Sequence, residues 1–145
     1  MRINQVLSGK ARQNVVTVSP QASVRELLAL LAEHNVGALI VSSDGTGVQG
    51  IVSERDVVRS LLANESVLDA PVSTIMTTEV RTCSGNDAVN HLMQVMTEFR
   101  VRHVPVVEGD KLTGIISIGD IVKSRMSELQ FERDQLDSYV HTGQS

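Results

Sequence analysis

The chain has 145 residues, a formal net charge of -4 and three aromatic residues, Phe99, Phe131 and Tyr139. An acidic balance with so few rings argues against a nucleic-acid binder, which carries a basic patch and, for single strands, stacking aromatics. No apolar run approaches the ~18 residues of a membrane span. The start, Met1-Arg2-Ile3-Asn4-Gln5, lacks the long apolar stretch and small-residue cleavage site of a signal peptide, so the chain reads as cytoplasmic. The single cysteine, Cys83, fits a reducing compartment; in a strand-like stretch it reads as an inert packed thiol.

Taken in chain order, the pattern predicts a leader around Ile3 to Leu7, then a short strand over 15–18. Ser23-Val24-Arg25-Glu26 is a capping box, followed by Val24, Leu27, Leu28 and Leu31 at helical spacing, which predicts a helix over 24–33. His34 and Asn35 end it. A strand over 38–42, a turn at Asp44-Gly45-Thr46-Gly47, a strand over 48–53 and a helix over 54–63 follow. Residues 64–74 form a polar linker of small residues in which Pro71 blocks helix continuation. The second half repeats the order: leader Ile75-Met76, strand 80–83, helix 88–99 with the stripe Val89, Leu92, Met93 and Met96, strands 104–107 and 112–117, helix 119–127. That last helix continues at least to Leu136. Met126, Leu129, Leu136 and Val140 fall on one face, either a self-association surface or a surface packed back on its own domain. Residues 141–145 are expected to be disordered.

The halves match residue by residue. Gly50-Ile51-Val52-Ser53-Glu54-Arg55-Asp56 recurs as Gly114-Ile115-Ile116-Ser117-Ile118-Gly119-Asp120, an offset of 64. Thr17 matches Thr82, and Val36-Gly37-Ala38-Leu39-Ile40-Val41 matches Val101-Arg102-His103-Val104-Pro105-Val106, an offset of 65. The one-residue difference falls in the glycine turn, where loops tolerate insertion. A duplicated polar signature in duplicated apolar frames implies two copies of one unit and of one site. Neither half is large enough to hide its own sheet, so the two should pack together.

These frames resemble the cystathionine-β-synthase (CBS) domain, used in tandem as a Bateman module. The motif Gly-hydrophobic-hydrophobic-Ser/Thr-x-x-Asp occurs twice, and Arg102-His103-Val104-Pro105-Val106 matches another frequent family feature. The resemblance covers residues 3–126. It implies an α/β (α+β) fold of two β-α-β-β-α repeats about a pseudo-two-fold axis: 1–63, linker 64–74, repeat 75–127 and a helical tail 128–145. It also implies a regulatory module that binds adenine nucleotides or relatives such as S-adenosylmethionine or NAD, rather than an enzyme.

The chemistry of the motif is consistent with that. Ser53 and Asp56, and again Ser117 and Asp120, stand where a strand becomes a helix. Helix N-terminal N–H groups favour an anion there, a Ser hydroxyl suits a phosphate oxygen, and an Asp can accept both hydroxyls of a ribose. Ser-x-x-Asp is equally a helix cap, and an isolated copy would be no more than that. The first site offers Arg55 as a phosphate partner. The second offers Arg102 and His103, with Gly119 permitting close approach; the resemblance implies that Ser117 and Asp120 make the better-equipped site. Thr17, Thr82, Ala38 and Pro105 complete the candidate ligand-binding set. No P-loop, Rossmann fingerprint, nucleophile elbow or zinc cluster is present, and His34, His91, His103 and His141 are scattered. The expectation is a homodimeric AMP or ATP sensor acting on a protein partner, with no required cofactor. A sensor of NAD(H) or S-adenosylmethionine and a ligand-free oligomerisation scaffold are the rivals.

Overall fold

A computed structural model describes residues 1–9 and 15–143. The first repeat comprises β1 (Thr17–Val18), α2 (Val24–His34), β2 (Ala38–Val41), β3 (Gly50–Ser53) and α3 (Glu54–Ala63), preceded by α1 (Ile3–Ser8). The second comprises α4 (Val89–Phe99), β4 (His103–Glu108), β5 (Lys111–Ser117) and α5 (Ile118–Gly143). Two 3-10 turns, Glu65–Asp69 and Val72–Thr74, join them.

In the first sheet β1 lies parallel to β2 and β2 antiparallel to β3, with Val18 opposite Val41 and Ala38 opposite Ser53. In the second, β4 and β5 pair antiparallel, with His103 opposite Ser117. The strand predicted over 80–83 shrinks to a single parallel bridge, Cys83 to Val106. That bridge is the two-fold counterpart of Val18 to Val41, so the topology is that of the first repeat.

The helical stripes bury as the spacing predicts. Val24, Leu27 and Leu31 enter one core with Val18, Leu39, Val41, Val52 and Val57; Val89, Leu92 and Met96 enter the other with Val104, Val106, Ile116 and Ile121. Met93, expected in the stripe, lies at its edge and is exposed. Ser23 caps α2 by accepting from the Glu26 N–H at 3.1 Å. Both α2 and α4 stop on a left-handed residue, Asn35 (φ 51°) and Arg100 (φ 54°), which closes the last turn.

The leaders are exchanged between repeats. Ile3 N donates to Asp87 O (3.0 Å) and Asn4 N to Gly85 O (2.9 Å); their counterparts are Val72 N to Ala22 O (2.8 Å) and Ser73 N to Pro20 O (3.0 Å). Ile3 and Val6 of α1 thus complete the second core, while Val67 and Val72 complete the first. The segment expected to be a polar linker therefore supplies two core residues. Its counterpart for Ile3 is Val72 rather than Ile75.

This exchange explains the glycine of each motif. A Cβ on Gly50 would stand 2.7 Å from Met76 Sδ and 2.8 Å from Thr77 O, and one on Gly114 would stand 3.1 Å from a Leu7 methyl. Each glycine admits a leader against its sheet. Between the repeats Leu112 N also donates to Thr46 O at 2.7 Å.

Helix α5 is continuous for 26 residues and includes His141 to Gly143, where a disordered end was expected. The last two residues of that stretch, 144–145, lie outside the described residues. Among the described residues no helix is long and apolar enough to cross a membrane.

Candidate functional site

Both Ser-x-x-Asp pairs close helix caps. Ser53 Oγ accepts from Asp56 N (3.2 Å), and Asp56 Oδ2 accepts from Ser53 N (2.8 Å) and from the Ser53 hydroxyl (3.0 Å). In the second copy Asp120 N donates to Ser117 Oγ (3.1 Å) and Ser117 N to Asp120 Oδ2 (2.9 Å). The capping reading of the motif is therefore realised in both copies. An ionised Asp has about four acceptor sites, so a carboxylate can serve a cap and other donors together. All four side chains remain half-buried.

What separates the copies is the surrounding shape. A cleft of about 860 Å³ opens where the second motif meets the first repeat. Its floor is Gly114, Ile115, Ser117 and Asp120 from the second repeat, with His103 on the neighbouring strand. Facing them are Val36, Gly37, Ala38 and Leu39 of the first repeat, Val15 and Val16 ahead of β1, and Asn4, Leu7 and Ser8 of α1. His34 and Lys123 add polar groups to the wall. Gly37 stands at the point where the two repeats come together. A Cβ there would already touch the His103 ring at 3.8 Å and Glu54 Oε1 at 3.7 Å.

The volume suits a nucleotide-sized ligand, since small-molecule pockets span roughly 300–1,000 Å³. The lining is of two kinds. Val15, Val16, Val36 and Ile115 make an apolar wall. Ser117, Asp120, His103 and Lys123 make a polar floor beside the N-terminus of α5, whose dipole favours an anion.

Comparison with known proteins agrees with this architecture. The family model described as "CBS domain" matches residues 6–63 and 72–127. The chain belongs to the CBS-domain family. It is 33% identical over 113 residues to the CBS domain-containing protein YhcV of Bacillus subtilis, covering 78% of this chain and 80% of that one. Against another curated relative it spans only 34% of the length. Among solved structures, a CBS-domain containing protein from Agrobacterium tumefaciens is 42% identical, with a TM-score of 0.81 and coverage of 86% of this chain and 99% of that one. The CBS domain pair of protein MJ0100, solved with 5'-methylthioadenosine and S-adenosyl-L-methionine, shares the fold at 22% identity and a TM-score of 0.75, covering 86% of this chain and 98% of that one. CBS pairs are regulatory ligand-binding modules.

In this CBS pair the candidates divide between two places. Ser117, Asp120, His103 and Ala38 meet at the cleft. Gly119 is exposed on α5 just outside it. Pro105 is buried under Cys83, its carbonyl accepting from Cys83 N (3.0 Å), while Thr82 is exposed and Thr17 half-buried beside its own sheet. Arg102, expected beside Asp120, does not line the cleft. It is the counterpart of Gly37: Arg102 O accepts from Ile118 N (2.9 Å) as Gly37 O accepts from Glu54 N (3.0 Å). The two-fold therefore assigns Arg102 to the side of Ser53, Arg55 and Asp56.

The same operation maps Val16, Asn35 and Lys123 of the cleft onto Arg81, Arg100 and Arg59. Arg81 lies over the Phe99 ring, 3.2 Å from its centroid. Lys123 escaped the sequence reading, although its place one turn beyond Asp120 on α5 was a usable signal. The contribution of α1 was not foreseeable without the leader exchange.

Cys83 is inert. Burial, reinforced by the nearby Asp87 carboxylate, pushes its thiol up to about 12, and Sγ lies 3.7 Å from Pro105 O. The Asp44 carboxyl in the glycine turn is held well below the usual range by the Gly47 and Thr46 N–H groups and the Ser42 hydroxyl. Among the described residues no group of three or more His, Cys, Asp or Glu side chains is placed to hold a metal ion.

Proposed function

We propose that the chain is a regulatory sensor of an adenine nucleotide, AMP or ATP, which it holds between its two repeats. The observation that carries this reading is the cleft that joins Ser117, Asp120 and His103 to Gly37 and Ala38 of the other repeat. Asp120 accepts the ribose hydroxyls, and the purine lies against Val16, Val36 and Ile115. Lys123 and the α5 N-terminus meet the first phosphate, with His103 beside it. A ligand touching both repeats senses their relative packing, and differential affinity for two packings is what a regulatory readout to a partner protein requires.

The argininyl positions Arg59, Arg81, Arg100 and Arg102 favour a second, more anionic ligand at Ser53 and Asp56. A triphosphate, or the second phosphate of NAD, is the chemistry that four guanidinium groups suit.

The test is thermal unfolding of nucleotide-free protein with AMP, ADP, ATP, NAD, NADH and S-adenosylmethionine. A ligand at 100 times its Kd adds about 2.7 kcal/mol, some 5–10 °C for a chain of this size. Asp120→Asn keeps the capping shape and removes the charge. It should weaken binding at least about tenfold while leaving the unliganded melting point nearly unchanged. No shift with any of these ligands would leave the Ser-x-x-Asp pairs as caps and the chain as a ligand-free oligomerisation scaffold.

A further inference from the structure

The chain has four histidines, and two of them, His34 and His103, line the cleft between the repeats. The two-fold puts no imidazole at the corresponding places beside Ser53 and Asp56, because His34 maps onto Phe99 and His103 onto Ala38. The remaining cations differ in the same way. The first motif is served by the guanidinium groups of Arg59, Arg81, Arg100 and Arg102, whereas the cleft has one ammonium, Lys123, besides its imidazoles. Guanidinium and ammonium groups keep their charge through neutral pH; an imidazole does not. His103 also stands where the repeats meet. A Cβ on Gly37 would lie 3.8 Å from its Cε1, 3.9 Å from its Nε2 and 3.7 Å from Glu54 Oε1, so a carboxylate of the first repeat and an imidazole of the second adjoin one glycine. The other charged or titratable groups around the ring are Asp120 and Lys123 of α5 and His34 of α2; α1 and β5 bring only Asn4, Ser8 and Ser117.

We propose that the cleft is a proton-linked site, which holds a phosphate-bearing nucleotide with His103 protonated and loses affinity for it as pH rises through neutrality. With both imidazoles neutral, the Asp120 carboxylate cancels Lys123 and Glu54 leaves the surroundings acidic, which opposes an anion. One proton, taken up from solvent by His103, reverses that balance. The charged ring is favoured by the bound phosphate and by the Glu54 and Asp120 carboxylates alike. Phosphate and proton therefore bind together, each raising the affinity for the other by the same factor. A ligand beside Ser53 and Asp56 meets arginines, whose charge is constant over this range, so its affinity stays level. A fall in pH thus fills the cleft without changing the occupancy of the other position, and the repeats receive a different pair of signals.

Proton linkage rests on a nucleotide occupying the cleft, as proposed above, and the test separates the two. AMP is the probe, because from pH 6.5 upward its phosphate keeps most of its second charge. For an ordinary imidazole, a bound state that prefers the proton tenfold binds about fivefold tighter at pH 6.5 than at pH 8.5, and takes up about 0.4 proton at pH 7.5. Titration calorimetry of the parent chain at pH 7.5, in buffers of different ionisation heat, counts that proton without any substitution. AMP affinity is then measured at pH 6.5, 7.5 and 8.5 in an Asp56→Asn background, which weakens binding beside the first motif. It should fall about fivefold across the series. Adding His103→Gln should hold it level within about twofold, near the value reached at pH 8.5, and adding His34→Gln should keep the slope. AMP binding that is equally tight at all three values with no proton uptake, or a slope that survives His103→Gln and vanishes in His34→Gln, would overturn the linkage and leave the nucleotide reading standing. No AMP binding at any of the three would overturn both.

Discussion

Adding one methyl group at the motif glycines tests the exchanged-leader architecture directly. In Gly50→Ala the new Cβ meets two atoms at once, Met76 Sδ at 2.7 Å and Thr77 O at 2.8 Å. The sulfur can swing aside, but the carbonyl cannot. Thr77 O accepts from Ile51 N (3.0 Å) and Thr77 N donates to Ile51 O (2.9 Å), so that oxygen is fixed by a bridge to the residue next to the substitution. Relief requires opening the bridge or displacing β3. Overpacking of that kind costs about 1–3 kcal/mol. Against it stands the gain from a stiffer unfolded chain, about 0.4–1 kcal/mol. At Gly114 the clash is milder and falls wholly on the two methyls of Leu7, at 3.1 and 3.2 Å, which are the free end of one side chain on a six-residue helix. The expected result is a net loss of about 1–2 kcal/mol for Gly50→Ala, or some 2–8 °C in melting temperature, and a smaller loss, below about 1 kcal/mol, for Gly114→Ala. Urea and thermal unfolding of both variants measure the difference. An equal loss at both positions, or a larger one at Gly114, would refute the claim that a rigid carbonyl decides the cost.

Two further outcomes follow from local chemistry. Arg100 holds a left-handed conformation (φ 54°) that costs an L-residue about 1 kcal/mol, whereas Asn35 occupies the equivalent place (φ 51°) with a side chain suited to it. Arg100→Gly should therefore raise the unfolding midpoint and Asn35→Gly should leave it nearly unchanged; a lowered midpoint for the first would contradict the strain assigned there. The folded Cys83 thiol titrates near 12 rather than 9.0, so at pH 8 its thiolate population is about a thousandfold below that of an unfolded thiol. Reaction with a disulfide reagent should be slower by a comparable factor in native than in unfolded protein. Because the folded state keeps the proton, this group also costs stability as pH climbs from about 9 towards 12, a loss that Cys83→Ala should remove.

How much of this was legible in the sequence depended on whether a property lies within one repeat or between two. Helix stripes are local, so Val24, Leu27, Leu31, Val89, Leu92 and Met96 could be placed in cores from spacing alone. The Ser-x-x-Asp caps are local too, and both form. The leader exchange is not local. Nothing in Ile3 or Val72 says which repeat each will cover, since both cores present the same kind of surface. The difference is made by the chain connection and by glycines at 50 and 114 that admit a leader. The site inherits this ambiguity. Aligning Arg102 and His103 with Gly37 and Ala38 showed where positive charge lies along the chain but not which motif it would face. The deciding fact is between the repeats: the two-fold that places Gly37 in the cleft with Asp120 places its counterpart Arg102 with Asp56. The arginine thus goes to the first motif alone, and its place at the second is taken by a glycine. The two cleft positions are therefore chemically unequal even though their frames match, and a ligand panel should find two affinities rather than one doubled site.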